Sequence, residues 1–245
     1  MHRDVHLSAQ DVLTSLGCDV SEFAPVALVS GQPQRSMQCL KHLENPTKNF
    51  NFLGYTFWTG GYQGRRLTVG NGGLYSPDTA IITELLCSAG VDILIRIGSC
   101  GALREDIGIG DYILTTEVLR GDGATRYYVD DNYKNTLNDD INAMIQESVA
   151  KRGKVHQGGV WSTDALLRES KDIVNPYIER GAIAVDMVTS SFVTVANVYN
   201  KKVAVIMVVS DNLITGRLGF MSDVLYTAEK NLVDSIFEVV KKLDE

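Results

Sequence analysis

Three segments close a β-branched, apolar run with glycine, serine or charge, and they hold the side chains best suited to chemistry. They are Ser30-Gly31-Gln32-Pro33-Gln34-Arg35, Ile95-Arg96-Ile97-Gly98-Ser99-Cys100-Gly101-Ala102 and Met207-Val208-Val209-Ser210-Asp211-Asn212. Together they offer two guanidiniums, several unhindered backbone amides and one carboxyl. That set suits an oxyanion bound beside a leaving group that needs a proton.

Each segment also has a plain structural reading. Gly31 lets the backbone approach an anion, and Arg35 can give phosphate a bidentate pair, but a Gly-Pro turn ending in arginine is equally an ordinary turn. Arg96 interrupts an apolar strand, Val91 to Ile97; such an arginine needs either a bound anion or a core carboxylate. Asp211 follows the apolar run Val203 to Val209, so its carboxyl emerges at a strand end, where α/β folds place ligands. Partial burial there raises a carboxyl pKa toward proton donation, whereas the alternative is a helix cap.

The elements that must position these residues follow from hydrophobic pattern. Strands are expected near 25–30, 66–70, 91–97, 109–116, 155–161, 182–187 and 202–209. Helices are expected near 76–89, 136–152, 171–180, 189–199 and 220–243. Alternation of the two predicts an α/β/α sandwich around a mixed central sheet, with residues 1–245 forming one domain. The polar, tyrosine-rich stretch from Gly121 to Tyr133 reads as a mobile loop or a subunit contact.

Composition narrows the partners. The 245 residues are 44% apolar and carry a formal net charge of −7, with basic residues scattered rather than striped. Nucleic acid and anionic membrane are not the expected partners. Cys18, Cys39, Cys87 and Cys100 have no CxxC spacing, which fits reduced thiols and, with no apolar leader or spanning run, a cytoplasmic location. His156 reads as a hydrogen-bonded core histidine and Asp130-Asp131 as a solvated loop; no metal-ligand spacing is present. Arg120-Gly121-Asp122-Gly123 reads equally as a site loop or a solvated turn. Arg217 is either a surface charge or a partner for Asp211.

Order and spacing of the motifs resemble the nucleoside phosphorylase superfamily, whose members handle purine nucleosides, methylthioadenosine and uridine. The resemblance covers nearly the whole chain. It runs through Val5-His6-Leu7, Gly31-x-Pro33-x-Arg35, Thr59-Gly60-x-Tyr62-x-Gly64, Ile95-Arg96-x-Gly98-Ser99-Cys100-Gly101, Ser162-x-Asp164, Ala184-Val185-Asp186-Met187 and Val209-Ser210-Asp211-Asn212. The Ser210-Asp211-Asn212-Leu213 ending is more like the purine and methylthioadenosine members than the uridine ones.

The resemblance implies roles. Gly31, Arg35, Arg96 and Ser99 would hold phosphate, which is a co-substrate, so that no cofactor and no metal is expected. Cys100, Gly101, Val185 and Met187 would line the base and ribose pocket, with Leu166 against the base. Asp211 would hydrogen-bond purine N7 as the catalytic acid. His6 would reach into a neighbouring subunit of a homo-oligomer, a dimer or hexamer, or of a mixed assembly with a related chain.

Four positions depart from the family pattern. Gln32 replaces an aspartate, Leu53 stands where a neighbouring subunit usually supplies an arginine, and Leu166 replaces an aromatic ring. Val188 replaces the glutamate that grips the ribose hydroxyls; Asp186, two residues earlier on the expected strand, would share its face and could compensate. The implied activity is phosphorolysis of a purine or 5′-modified purine nucleoside. A catalytically impaired paralogue that binds nucleoside or regulates an active relative is the alternative, and a hydrolytic nucleosidase the third reading.

Overall fold

The computed structural model describes residues 6–243. Its strands are β1 (Val26–Ser30), β2 (Glu44–Phe52), β3 (Tyr55–Tyr62), β4 (Arg65–Asn71), β5 (Ile93–Ala102), β6 (Tyr112–Gly121), β7 (Val155–Thr163), β8 (Ala182–Asp186), β9 (Lys202–Asn212) and β10 (Arg217–Leu218). The helices are α1 (Ala9–Ser15), α2 (Pro33–Leu40), α3 (Ser76–Ser88), α4 (Asp139–Val149), α5 (Lys171–Glu179), α6 (Thr189–Val198) and α7 (Asp223–Val240). All ten strands join one mixed sheet in the order β10-β9-β6-β7-β8-β5-β1-β4-β3-β2, and β9 also pairs with β5. That extra pairing closes β5, β9, β6, β7 and β8 into a ring, with β1, β4, β3 and β2 continuing as an open wing.

Strand alternation sorts the core into two layers. Along β9, Val203, Val205, Met207 and Val209 pack with Phe192 and Ile82 of α6 and α3. Ala204, Ile206 and Val208 point the other way, toward Ile141 of α4 and Leu232 and Ile236 of α7. A sheet buried on both faces needs the continuous apolar runs seen in β1, β5 and β9. The expected sandwich is therefore present, with helices on both faces.

The pattern reading overlooks the β2–β3 hairpin. β2 is polar and carries Pro46, and β3 breaks its aromatics with adjacent glycines, so no clean alternating run marks them. The chain turns at Leu53 and Gly54 with φ of 53° and 85°, both in the left-handed region that a tight hairpin turn demands. Leu53 is thus an exposed hairpin tip. The final helix also starts later than expected: Ser222 accepts from the Leu225 amide at 3.2 Å and caps α7, leaving Phe220 in the loop before it. The stretch 121–133 is held down at one end, where Asp122 accepts from the amides of Ala124 and Thr125, each at 2.8 Å.

Candidate functional site

Parallel β1, β5 and β9 run side by side, so their carboxyl ends converge on a cavity of about 230 Å³. Of the sequence-predicted site residues, Gly31, Arg35, Arg96, Ser99, Cys100, Gly101, Leu166, Val185, Asp186, Met187 and Asp211 line it. His6 does not; it is exposed at the start of the described chain. Val5, the neighbouring motif residue, lies outside the described residues.

The two arginines differ in what they hold. Arg35 projects from α2 and its guanidinium is ion-paired with Glu229 of α7, while Nη1 donates to the Ile97 carbonyl at 3.3 Å. Only its Nε lacks a partner. Arg96, 4% exposed, donates from Nη2 to the Gly73 carbonyl at 3.4 Å, and its Nε and Nη1 are buried with no partner. No salt bridge to a core carboxylate satisfies it among the described residues. Burial pushes Arg96 down to about 10, against the opposing pull of the Asp186 charge, so it remains a cation at neutral pH. Gly31 makes room for this arrangement: a Cβ there would lie 3.1 Å from Arg96 Nη2. A buried cation with two unused donors is an anion site in waiting.

Asp211 is a strand residue and caps no helix. Between β5 and β9 the register runs Cys100 opposite Val209 and then Gly101 opposite Asp211, so Ser210 is an extra residue, a β-bulge. The bulge turns Asp211 onto the face of Gly101 and away from the one that Val209 shares with Cys100. A Cβ on Gly101 would stand 3.1 Å from the Asp211 Oδ2, so the glycine leaves space for the carboxyl. Burial raises the Asp211 pKa, opposed by the Ser210 hydroxyl that donates to Oδ1 at 2.8 Å.

Asp186 sits in the cavity wall, but its oxygens are already engaged. They accept from the Ser162 hydroxyl at 2.6 Å, the Thr189 hydroxyl at 2.7 Å and the Thr189 amide at 3.0 Å. The carboxylate therefore anchors the start of α6. The expectation that residues 186 and 188 share a strand face is corrected: β8 ends at Asp186, and Val188 is the N-cap of α6, with φ of −148° and ψ of −14°. Val188 is buried in the cavity wall all the same.

Sequence reasoning missed Glu169 and Phe220. Glu169 follows a one-turn helix at Leu166–Arg168 and borders the cavity beside Asp211. Burial, with the Asp211 charge adding to it, raises its pKa to about 7, and no described residue hydrogen-bonds its carboxyl. Its only sequence signal is an acid two residues past Leu166-Leu167. Phe220, from the loop before α7, gives the wall an aromatic ring that Leu166 cannot. Elsewhere, His156 bonds Asp111 Oδ2 at 2.9 Å, the core pairing expected of it. Arg217 is exposed on β10, whose backbone pairs it with Asn212. The four cysteines are free, and burial raises the Cys100 thiol well above its ordinary range.

The model of the phosphorylase superfamily matches residues 25–241. The chain belongs to that superfamily. Among its relatives, the DeoD-type purine nucleoside phosphorylase of Bacillus cereus is 31% identical over 199 residues, which are 80% of this chain and 85% of that protein. A DeoD-type enzyme of Bacillus thuringiensis matches to the same extent. Two solved phosphorylases share the superfamily fold. A Toxoplasma gondii purine nucleoside phosphorylase in complex with immucillin-H has a TM-score of 0.82 at 17% identity, covering 98% of this chain and 96% of that one. A Vibrio fischeri uridine phosphorylase has a TM-score of 0.84 at 23% identity, covering 92% and 95%. Phosphorylase superfamily members of this kind are pentosyltransferases. Among the described residues no helix is long and apolar enough to cross a membrane.

Proposed function

We propose that the chain phosphorolyses purine nucleosides, releasing free base and ribose 1-phosphate. The observation that carries this reading is Arg96, a buried cation with two unused donors in the lining of a cavity that also presents the Asp211 carboxyl. Phosphate bound by Arg96, Ser99 and the turn at Gly31 would lie under the sugar and attack C1′ as the bond to N9 breaks. Its negative charge stabilises the cation-like ribose. Asp211, whose burial opposes its charge and favours the protonated form, gives a proton to N7 so that the base leaves neutral. Cys100, Gly101, Val185 and Met187 shape the space for ribose and base, Leu166 and Phe220 flank the base, and His6 serves the site of a neighbouring subunit in a cytoplasmic homo-oligomer.

A second reading has its own observation. Arg35 is occupied by Glu229 and Val188 presents no carboxylate, which favours a paralogue that binds nucleoside without efficient turnover. The deciding experiment is turnover of inosine, adenosine, methylthioadenosine and uridine with and without phosphate, following base and ribose 1-phosphate. Phosphate-dependent base release that Asp211→Asn abolishes is the expected result. Absence of turnover by folded protein across all four substrates favours the paralogue, and base release that ignores phosphate favours a nucleosidase.

A further inference from the structure

A second cavity, of about 900 Å³, opens beside the first, and Leu166, Glu169, Asp211 and Phe220 line both. Its remaining wall is mostly apolar, drawn from the loop after β7, the start of α5 and the segment between β9 and α7. Two of its leucines, Leu167 and Leu218, are 92% and 76% exposed, so the groove presents apolar surface to water rather than packing on the core. At the junction stands Glu169, a half-buried carboxyl with no hydrogen-bond or ion-pair partner among the described residues. An unpaired carboxyl between apolar walls is costly and calls for a donor from a ligand.

The chemistry of the purine ring says which part of a ligand lies there. N7 and the substituent on C6 flank the same edge of the base, so a purine whose N7 meets Asp211 directs its 6-substituent past that carboxyl. Glu169, like Asp211, lines both cavities, so it and the groove adjoin that point. We propose that the groove is an extension of the base site and that the preferred substrates are purine nucleosides bearing an apolar group on a secondary amine at C6, whose N–H donates to Glu169. This rests on the purine phosphorylase reading above. An alkyl or aryl group fills the leucine-lined groove, and the single N–H that such an amine retains matches the single unpaired carboxyl.

The test compares kcat/KM for N6-benzyladenosine and for adenosine in phosphate. The expected ratio in the wild-type chain is one or more. Ser170→Trp, which fills the groove from a side chain that makes no capping bond, should lower that ratio on the order of tenfold, the scale of a well-filled apolar contact. Leu167→Asp, at a fully exposed position, should lower it in the same direction should the tryptophan variant fail to fold. A wild-type ratio below about one-tenth, where apolar groups are excluded, overturns the proposal. Should no nucleoside turn over, the purine phosphorylase reading fails, and calorimetric binding of the same two nucleosides decides this one separately: tighter binding of N6-benzyladenosine that Ser170→Trp removes supports it, and weaker binding overturns it. An assembly that Leu218→Asp disperses with the two nucleosides still treated alike would mean that a second copy covers the groove, which also overturns it.

Discussion

The guanidinium of Arg35 is ion-paired with the carboxylate of Glu229, which α7 brings from 194 positions along the chain. Both groups are nearly excluded from water, so the pair neutralises one of the two cations lining the cavity before any anion arrives. Removing one member of a buried pair leaves the other uncompensated, at a cost of about 3–5 kcal/mol. Glu229→Gln should therefore lower Tm in phosphate-free buffer. Phosphate should recover more of that loss than it adds to the wild type, because a ligand that binds only the folded state at 100 times its Kd stabilises by about 2.7 kcal/mol. Scanning calorimetry with and without phosphate checks this; equal phosphate shifts in both proteins would sink it.

Arg96 should behave in the opposite sense. It is a buried charge without a counter-ion in contact, and an apolar side chain of similar length removes the desolvation cost. Arg96→Met is expected to leave stability unchanged or to raise it by about 1–4 kcal/mol. The same change removes charge-assisted bonds of roughly 1.5–3 kcal/mol to phosphate, so the KM for phosphate should rise at least tenfold. Urea melts and phosphate saturation curves read the two effects separately. A variant that is both less stable and unaltered toward phosphate would show that the arginine serves the fold.

Glu169 makes stability depend on pH. Its folded pKa of about 7 lies above its ordinary 4.5. Between those values the folded chain keeps a proton that the unfolded chain has released, so stability falls as pH rises from about 4.5 to about 7 and flattens above. Glu169→Gln should reduce the difference in unfolding free energy between pH 5 and pH 7.5. Urea titrations at the two pH values test it, and an unchanged difference in the variant would refute the assignment.

Val188 places a hydrocarbon where a carboxylate could have met the ribose hydroxyls, and Asp186 is spent on Ser162 and Thr189. Losing a hydroxyl bonded to a charged group costs about 1.5–3 kcal/mol, or more than tenfold. Without such a contact, adenosine and 2′-deoxyadenosine should have kcat/KM values within about fivefold of each other. A strict ribose preference would contradict this. Asp186→Ala, by contrast, should act on the fold, lowering stability by about 3 kcal/mol or more because it frees the start of α6.

The sequence made the turns after β1, β5 and β9 legible because each ends a long β-branched run, and a parallel sheet buried on both faces has no other way to be written. The helices α3 to α7 were legible for the same periodic reason. The β2–β3 hairpin was not: β2 is polar, β3 mixes aromatics with glycines, and the first residue of its turn is a leucine at positive φ where glycine or asparagine would have announced it. Glu169 was hidden because a loop carries no period. The Arg35–Glu229 pair was hidden because nothing local links α2 to the last helix. Asp186 read as a ligand contact from its motif, and only the hydroxyls of Ser162 and Thr189 reveal its anchoring part.

Ser210, the one extra residue between β5 and β9, makes the aim of Asp211 a matter of counting rather than of chemistry. Strict alternation through Val205, Met207 and Val209 would have sent residue 211 into the oily layer beneath α6. A variant with one further residue inserted after Ser210 would keep every functional side chain in its composition and still turn its acid to the opposite face, away from the cavity. Substitution scans would never find this dependence, since what sets the aim is how many residues stand between Val209 and Asp211.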